Sequence, residues 1–380
     1  MNGELMAAEM AAQPEVLAQV TERAAGEAAA VRAVVPHPLA GVVFLARGSS
    51  DNAAVFGRYL VELGAGRPAG LAAPSIYTRY HASVDWRGYL VVALSQSGAT
   101  PEIVSTCRAM RAAGAVVLGI TNEPGSPLAG TVDLLLLTEA GPERAIPATK
   151  TVTAQLAVLV TVATALRDGT WRLAAQASDG GMGRRAGPRG DTGHGVRGLA
   201  PGEAECSPGR TERAEPAGPA LAGLAGLPGA VAAVLADPGP ARRLAGRWQG
   251  IDRLVVAGRG LAYAAALETA LKVKETTGIL AEGISTADLL HGPIAAVYAG
   301  APVLLVDGGG PADTDLAELR DLLASRGAAA ESLPVPPGLP ETAHVVTAIV
   351  RGQQLAMELA LARHTDPDAP AHLSKVTATT

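Results

Sequence analysis

Four polar residues stand where a predicted strand ends and a predicted helix begins. The strand is YLVVALS (89–95), a helical pattern follows at 103–113, and the residues at the junction are Ser95, Gln96, Ser97 and Thr100. Unpaired backbone N–H groups and the positive end of the helix dipole meet at such a junction, so hydroxyls there complete a cradle for an anion. Helix capping explains one hydroxyl but explains three poorly. We therefore predict that this loop binds a phosphate group.

A second hydroxyl-rich loop follows the first predicted strand, GVVFLA (41–46), and contains Ser49 and Ser50. In an open α/β sheet, the loops that leave neighbouring strand ends converge on one crevice. We therefore expect Ser49 and Ser50 to help bind the same phosphate.

The predicted helix 264–277 carries Glu268, Lys272 and Glu275 at spacings that place all three on one face. A surface salt-bridge ladder has the same spacing. However, the neighbouring side chains are Ala, Leu and Val, and charges in apolar surroundings often mark a functional site. His291 precedes a Gly-Pro bend, and the residues alone leave open whether it is structural or catalytic.

Alternating strands and helices must position these residues. Short apolar runs at 41–46, 89–95 and 116–121 alternate with helical patterns, which is typical of a parallel sheet covered on both faces. The run RLVVAGRG (253–260) repeats the strand-to-glycine-loop pattern, so the second half is expected to be a diverged copy of the first. A chain of 380 residues has room for two such domains.

The composition argues against several classes of protein. A net charge of -5 leaves no basic surface for nucleic acid, and no apolar run reaches the roughly 20 residues of a membrane span. Cys107 and Cys206 are far apart and lie in no Cys/His cluster, so we expect neither a disulfide nor a metal site. Because the N-terminus lacks a signal-peptide pattern, we expect a cytoplasmic protein, and nothing indicates a cofactor.

The composition changes abruptly near Ala174. Residues 176–219 contain almost no large apolar side chains and no periodicity, which is typical of disorder. The predicted organisation is a helical lead-in (1–40), a first domain (41–173), a disordered linker (174–219), a second domain (220–364) and a C-terminal tail (365–380).

Several segments resemble the isomerase half of glucosamine-6-phosphate synthase and its relatives built from tandem sugar-isomerase (SIS) domains. They are ARGSSDNAA (46–54), LSQSGATPE (94–102), ERAIPATKTVTAQ (143–155), GRGLAYAAALETALKVKETTGILAEG (258–283), LLHGPIA (289–295) and HTDPDAPAHLSKVT (364–377). The resemblance implies an α/β fold of two doubly wound SIS domains, each a parallel sheet flanked by helices. It also implies a homodimer that binds a small sugar phosphate.

Position by position, the resemblance implies catalytic roles as well. Glu275 would move a proton between C1 and C2 of the sugar, and Lys272 would stabilise the enolate-like intermediate. His291 would open the sugar ring, reaching the site from the partner subunit, and Lys375 would approach the carbonyl carbon from a tail that covers the site. The residues implied to contact the sugar phosphate are Ser50, Ser95, Gln96, Ser97, Thr100, Ile146 and Ala148.

Departures from the synthase pattern bear on the reaction. The glutaminase half is not matched, and residue 2 is Asn2 rather than a Cys nucleophile, so we expect no glutamine hydrolysis. The positions where synthases commonly have Ser, Pro, Gly and Lys hold Ala148, Ala264, Thr269 and Leu290. These differences favour catabolic relatives, and we predict a deaminase that converts glucosamine 6-phosphate to fructose 6-phosphate and ammonia.

Two alternatives remain from the sequence. One keeps the fold and changes the substrate, as in a galactosamine-phosphate deaminase or a deglycase of phosphorylated fructosamines. The other is a non-catalytic sugar-phosphate sensor of the kind found in transcriptional regulators. Such regulators usually carry an output domain, which this sequence does not indicate, and the joint presence of Glu275, Lys272, His291 and Lys375 favours an enzyme.

Overall fold

Two separate parallel sheets form the framework of the molecule, for which a computed structural model describes residues 3–167 and 224–375. The predicted disordered linker at 174–219 lies outside the described residues. The first sheet contains β1 (Gly41–Leu45), β2 (Ala69–Leu71), β3 (Tyr89–Leu94), β4 (Val116–Thr121) and β5 (Leu134–Leu137). The second sheet contains β6 (Arg253–Gly258), β7 (Leu280–Ser285), β8 (Pro302–Val306) and β9 (Ala329–Ser332).

Helices flank both sheets, so the predicted α/β fold is confirmed. Those before and around the first sheet are α1 (Glu4–Ala11), α2 (Gln13–Val34), α3 (Ser49–Ala65), α4 (Ser75–Thr78), α5 (Pro101–Ala112) and α6 (Lys150–Arg167). Those before and around the second sheet are α7 (Leu227–Ala236), α8 (Gly239–Trp248), α9 (Ala262–Thr277), α10 (Thr286–Leu290), α11 (Asp313–Ser325) and α12 (Glu341–Ala362). A 3₁₀ turn at Pro293–Ala296 follows α10.

The N-terminal lead-in is two helices, where the sequence suggested one helical segment. The break falls at Ala12, and Pro14 lies in the first turn of α2. Proline has no N–H to donate and is tolerated only in the first turn of a helix. A new helix that begins just before Pro14 is therefore more favourable than one helix that continues through it.

The strand order places a crevice at a defined edge of each sheet. The first sheet runs β2-β1-β3-β4-β5 and the second runs β7-β6-β8-β9, with all the strand pairs parallel. From β1 the chain crosses to β2 on one side and then returns to β3 on the other. The loops after β1 and β3 therefore diverge and leave an opening between them, which is where ligands bind in open α/β sheets.

The loops after β1 and β6 share their geometry. Gly48 and Gly260 have φ values of +60° and +59°, which suit glycine. The arginine before each glycine forms an ion pair with a later helix, Arg47 with Glu102 of α5 at 3.0 Å and Arg259 with Asp315 of α11 at 2.9 Å.

Helix α9 joins the two halves of the molecule. It packs on its own sheet, on α12 and on α3 beside the first sheet. Small side chains permit this close approach: Ala264, Ala265 and Ala270 are buried, and a Cβ added to Gly283 of β7 would lie 2.6 Å from Leu267 Cα. The packing turns the charged face of α9 toward the crevice of the first sheet.

Candidate functional site

A cavity of about 360 Å³ lies at the carboxyl edge of the first sheet. Every predicted site residue except His291 lines it, and they come from five different parts of the chain. These residues are Ser49, Ser50, Ser95, Gln96, Ser97, Thr100, Ile146, Ala148, Lys272, Glu275 and Lys375.

The loop after β3 forms the hydroxyl-rich wall of this cavity. Ser95 Oγ accepts a hydrogen bond from Gly98 N at 3.1 Å, and Ser97 Oγ accepts one from Ala99 N at 3.3 Å. Gly98 has a φ of +59°, and a Cβ there would lie 2.2 Å from Ser126 Oγ, so the turn requires glycine. Thr100 occupies the N-cap position of α5 but makes no side-chain capping bond. Capping therefore does not account for its hydroxyl.

The opposite wall is the charged face of α9. Lys272 is buried, with its Nζ 3.6 Å from Glu268 Oε1 and in an ion pair with Glu275. Asn52 of α3 donates a hydrogen bond to Glu268 Oε2 at 2.8 Å. Side-chain exposure is 1% for Lys272 and Glu268 and 24% for Glu275, which excludes a solvated surface ladder and leaves Glu275 as the carboxylate open to a ligand.

Burial and charge set the protonation of this cluster. Burial alone lowers the pKa of Lys272, but the charges of Glu268 and Glu275 outweigh it, so the pKa is raised and the amine stays charged. Burial also raises the pKa of Glu268, against the opposing effects of Lys272 and Asn52. The cavity therefore combines a fixed ammonium group with a partly exposed carboxylate.

The C-terminal tail closes the cavity from a third side. Leu373, Ser374 and Lys375 line it, and Lys375 Nζ donates to Glu143 Oε2 at 2.9 Å and to Ala145 O at 2.7 Å. These contacts hold the amine of Lys375 beside the segment that contributes Ile146 and Ala148.

Glu143 is a site residue that sequence reasoning missed. Its side chain is fully buried and also accepts hydrogen bonds from Thr149 N (2.9 Å), Thr151 N (3.2 Å) and Thr151 Oγ1 (2.7 Å). Burial raises the pKa of Glu143, but Lys375 and these donors outweigh burial and hold it below its usual value. The available signal was its position three residues before Ile146, in a segment that carries the resemblance.

His291 lies outside the cavity of its own chain. It follows α10 directly and is exposed. No histidine belongs to the lining that the described residues form.

Residues 3–167 and 224–375 contain neither a cluster of metal ligands nor a membrane-spanning helix. No group of three or more His, Cys, Asp or Glu side chains in these ranges is arranged to hold a metal ion. None of the helices in the same ranges is long and apolar enough to cross a membrane.

Comparisons with known proteins identify relatives of this chain. The sequence profile of the SIS domain matches residues 41–165 and 249–334. The glutamine–fructose-6-phosphate aminotransferase (isomerizing) of Aeropyrum pernix is 32% identical over 97% of this chain and 56% of its own length. A similar relative from Symbiobacterium thermophilum is 32% identical over 88% of this chain and 51% of its own length, so the chain spans about half the length of these curated relatives.

Solved structures support the same fold. A candidate phosphosugar isomerase from Silicibacter pomeroyi aligns with a TM-score of 0.76 and 29% identity, covering 97% of this chain and 100% of the other. The predicted pair of doubly wound SIS domains is thereby confirmed.

Proposed function

We propose that this chain, which belongs to the SIS domain family, is a sugar-phosphate isomerase that releases ammonia from glucosamine 6-phosphate and forms fructose 6-phosphate. One observation carries the proposal. A single cavity has serine and threonine hydroxyls on one wall and a lysine with a partly exposed carboxylate on the other. The similarity to aminotransferases named as isomerizing supports sugar-phosphate chemistry in such a cavity.

The proposed binding mode places the phosphate in the loop after β3. Ser95, Ser97 and Thr100 provide hydroxyls there, and the N-terminus of α5 provides positive potential. The sugar chain then extends toward α9, with Ile146 and Ala148 along its side. This orientation brings C1 and C2 of the open-chain sugar toward Glu275.

The proposed chemistry is a proton transfer followed by hydrolysis. Glu275 removes the proton from C2, and the electron pair forms a C1–C2 double bond while the carbonyl oxygen at C1 becomes negatively charged. Lys272, which stays an ammonium ion, stabilises that charge. Return of the proton to C1, with transfer of an N–H proton to the C1 oxygen, gives a C1 hydroxyl and an imine at C2. Water adds to C2 to form a carbinolamine, and its O–H proton passes to nitrogen as the C–N bond breaks, which leaves the ketose carbonyl at C2 and releases ammonia.

The tail supports this chemistry in two ways. Lys375 adds a second cation to the cavity, and Leu373 and Ser374 cover part of its opening, so bulk water has less access to the intermediate. Ring opening requires an acid–base group besides Glu275, and none of the described residues that line the cavity is a histidine. We propose that His291 of a second copy supplies it in a homodimer, because this side chain is exposed and lies outside its own cavity.

A second candidate is the same isomerisation in the amine-adding direction. The curated relatives are aminotransferases, which favours this direction. Both directions use Glu275 and Lys272 in the same way, so they differ in ammonia supply rather than in the residues of this cavity.

The decisive experiment offers the purified protein a panel of sugars. We expect glucosamine 6-phosphate to yield equal amounts of ammonia and fructose 6-phosphate, and unphosphorylated glucosamine to be a poor substrate. Galactosamine 6-phosphate and a 6-phosphorylated fructosamine test the alternative substrates, and fructose 6-phosphate with ammonium tests the reverse direction. Glu275→Gln is the inactive control. Binding of these sugars without turnover of any of them would refute the proposal and favour a sensor.

A further inference from the structure

Helix α1 is capped by a side chain from the other end of the chain. Asp368 in the tail accepts hydrogen bonds from Gly3 N and Leu5 N through Oδ2, both at 3.1 Å, and from Met6 N through Oδ1 at 2.7 Å. The N-cap residue of α1 is a glycine, which brings no capping side chain of its own. A carboxylate stabilises this position because it satisfies the unpaired amides and complements the helix dipole.

The same helix also holds the loop that receives Lys375. Glu9, 7% exposed in the last turn of α1, accepts hydrogen bonds through Oε1 from the backbone amides of Arg144 and Ala145. Ala145 O in turn accepts from Lys375 Nζ. The backbone of Ala145 therefore connects the side chain of Glu9 to that of Lys375.

A third contact ties the tail to the loop directly. Ile146 N donates to Asp368 O at 2.9 Å. Asp368 thus contacts α1 through its side chain. Through its backbone it contacts Ile146, which lines the cavity. Helix α1 is itself anchored, because Met6 and Met10 are buried in one cluster with Ala145.

We propose that α1 is a clamp that fixes the position of the Lys375 amine, with Asp368 and Glu9 as positioning residues at its two ends. Asp368 holds the tail against the start of the helix, and Glu9 holds the acceptor carbonyl of Ala145 in place. Only the catalytic benefit of this clamp rests on the proposed function. The clamp itself concerns only where the Lys375 amine lies, so it can be tested without any substrate.

Competitive acetylation of the lysines tests this position. Acetic anhydride modifies accessible amines, and mass spectrometry follows Lys375 against Lys274, which is exposed on α9 and serves as an internal reference. We expect Lys375 to react more slowly than Lys274 in the wild type. Asp368→Ala should raise the relative reactivity of Lys375 by about 5- to 30-fold, the range expected for losing a helix cap.

Two substitutions of Glu9 distinguish positioning from bulk stability. Glu9→Ala removes the acceptor of the two loop amides and should also raise Lys375 reactivity. Glu9→Gln keeps one acceptor oxygen and should restore protection close to that of the wild type. Glu15→Gln, at an exposed position on α2, is the matched control and should change nothing. If Glu9→Ala fails to fold, Asp368→Ala still provides the test, because Asp368 lies outside the buried core.

The kinetic readout separates the clamp from the proposed function. Asp368→Ala should lower kcat while leaving KM for the sugar phosphate nearly unchanged, because the hydrogen bonds that Asp368 accepts come from the start of α1 and from Ile146 rather than from the loop at 95–100. If Lys375 becomes reactive in the variants while the wild type turns over none of the sugars, the clamp holds and the proposed function fails. If Lys375 stays protected in folded Asp368→Ala, or kcat falls without any change in that protection, the clamp is wrong.

Discussion

Replacing Glu143 with Gln removes the charge that holds Lys375 and keeps the shape of the side chain. Glu143 accepts hydrogen bonds from Lys375 Nζ, Thr149 N, Thr151 N and Thr151 Oγ1 through its two oxygens. Glutamine has one acceptor oxygen, and its NH₂ group must face at least one of these donors. Losing a hydrogen bond to a charged group costs about 1.5–3 kcal/mol.

The partial exposure of Lys375 limits this cost. Its side chain is 23% exposed, so the ammonium regains some hydration when the carboxylate is neutralised. The cost therefore stays below the roughly 3–5 kcal/mol of breaking a fully buried pair. We expect Glu143→Gln to lower the free energy of unfolding by about 1.5–3 kcal/mol at neutral pH.

The pH dependence of this difference has a definite sign. Burial raises the pKa of Glu143, but Lys375 and the other donors outweigh it, so the folded-state pKa lies below the usual range of a glutamate. A carboxyl group with a lowered folded-state pKa contributes stability that is present above its unfolded pKa and is lost as the pH falls through the folded value. The difference between wild type and variant should therefore be constant well above pH 4.3, which is about the pKa of an unfolded glutamate, and shrink in more acidic solution.

Urea unfolding followed by circular dichroism measures the difference. Both proteins are compared at about pH 7, 5 and 3.5, with Glu15→Gln as the control for loss of one acidic charge. A loss below about 0.5 kcal/mol at neutral pH would be within the range of ordinary surface substitutions and would refute the reasoning. A difference that grows in acid would refute it as well.

Three further predictions concern activity. Glu275→Gln should bind the sugar phosphate but lose about 10²- to 10⁴-fold in kcat for ammonia release, the range for a missing general base; a kcat close to wild type would contradict the assignment. Truncation after His364 should leave a folded protein with little activity, and Lys375→Ala should reproduce most of that loss; a fully active, folded truncation would assign Lys375 to a solvated terminus. His291→Ala and Glu275→Gln should each be inactive, whereas subunits mixed in equal amounts and allowed to exchange should regain about a quarter of wild-type activity, because half the dimers contain one intact site. No recovery after verified exchange would mean that His291 acts within its own chain or not at all.

Short-range patterns were enough to predict much of the site. The hydroxyl loops at 49–50 and 95–100 could be identified because each follows an apolar strand and precedes a helix, and parallel strands bring such loops to one edge. The face shared by Glu268, Lys272 and Glu275 followed from the period of the α-helix. Local periodicity could not show how deeply that face is buried, since this depends on the packing of α9 against α3 and α12.

The sequence by itself determined the fold class, the two hydroxyl loops and the charged helix face, because each depends on residues within one strand–loop–helix unit. Only the tertiary structure decided which distant residues meet: Asp368 with Gly3 across 365 positions, Lys375 with Glu143 across 232 and Asn52 with Glu268 across 216. The physical reason is that a capping or ion-pairing side chain needs only a donor or acceptor at the correct distance. Many residues of the chain could provide such a donor or acceptor. Which of them do so depends on how the two sheets pack around α9.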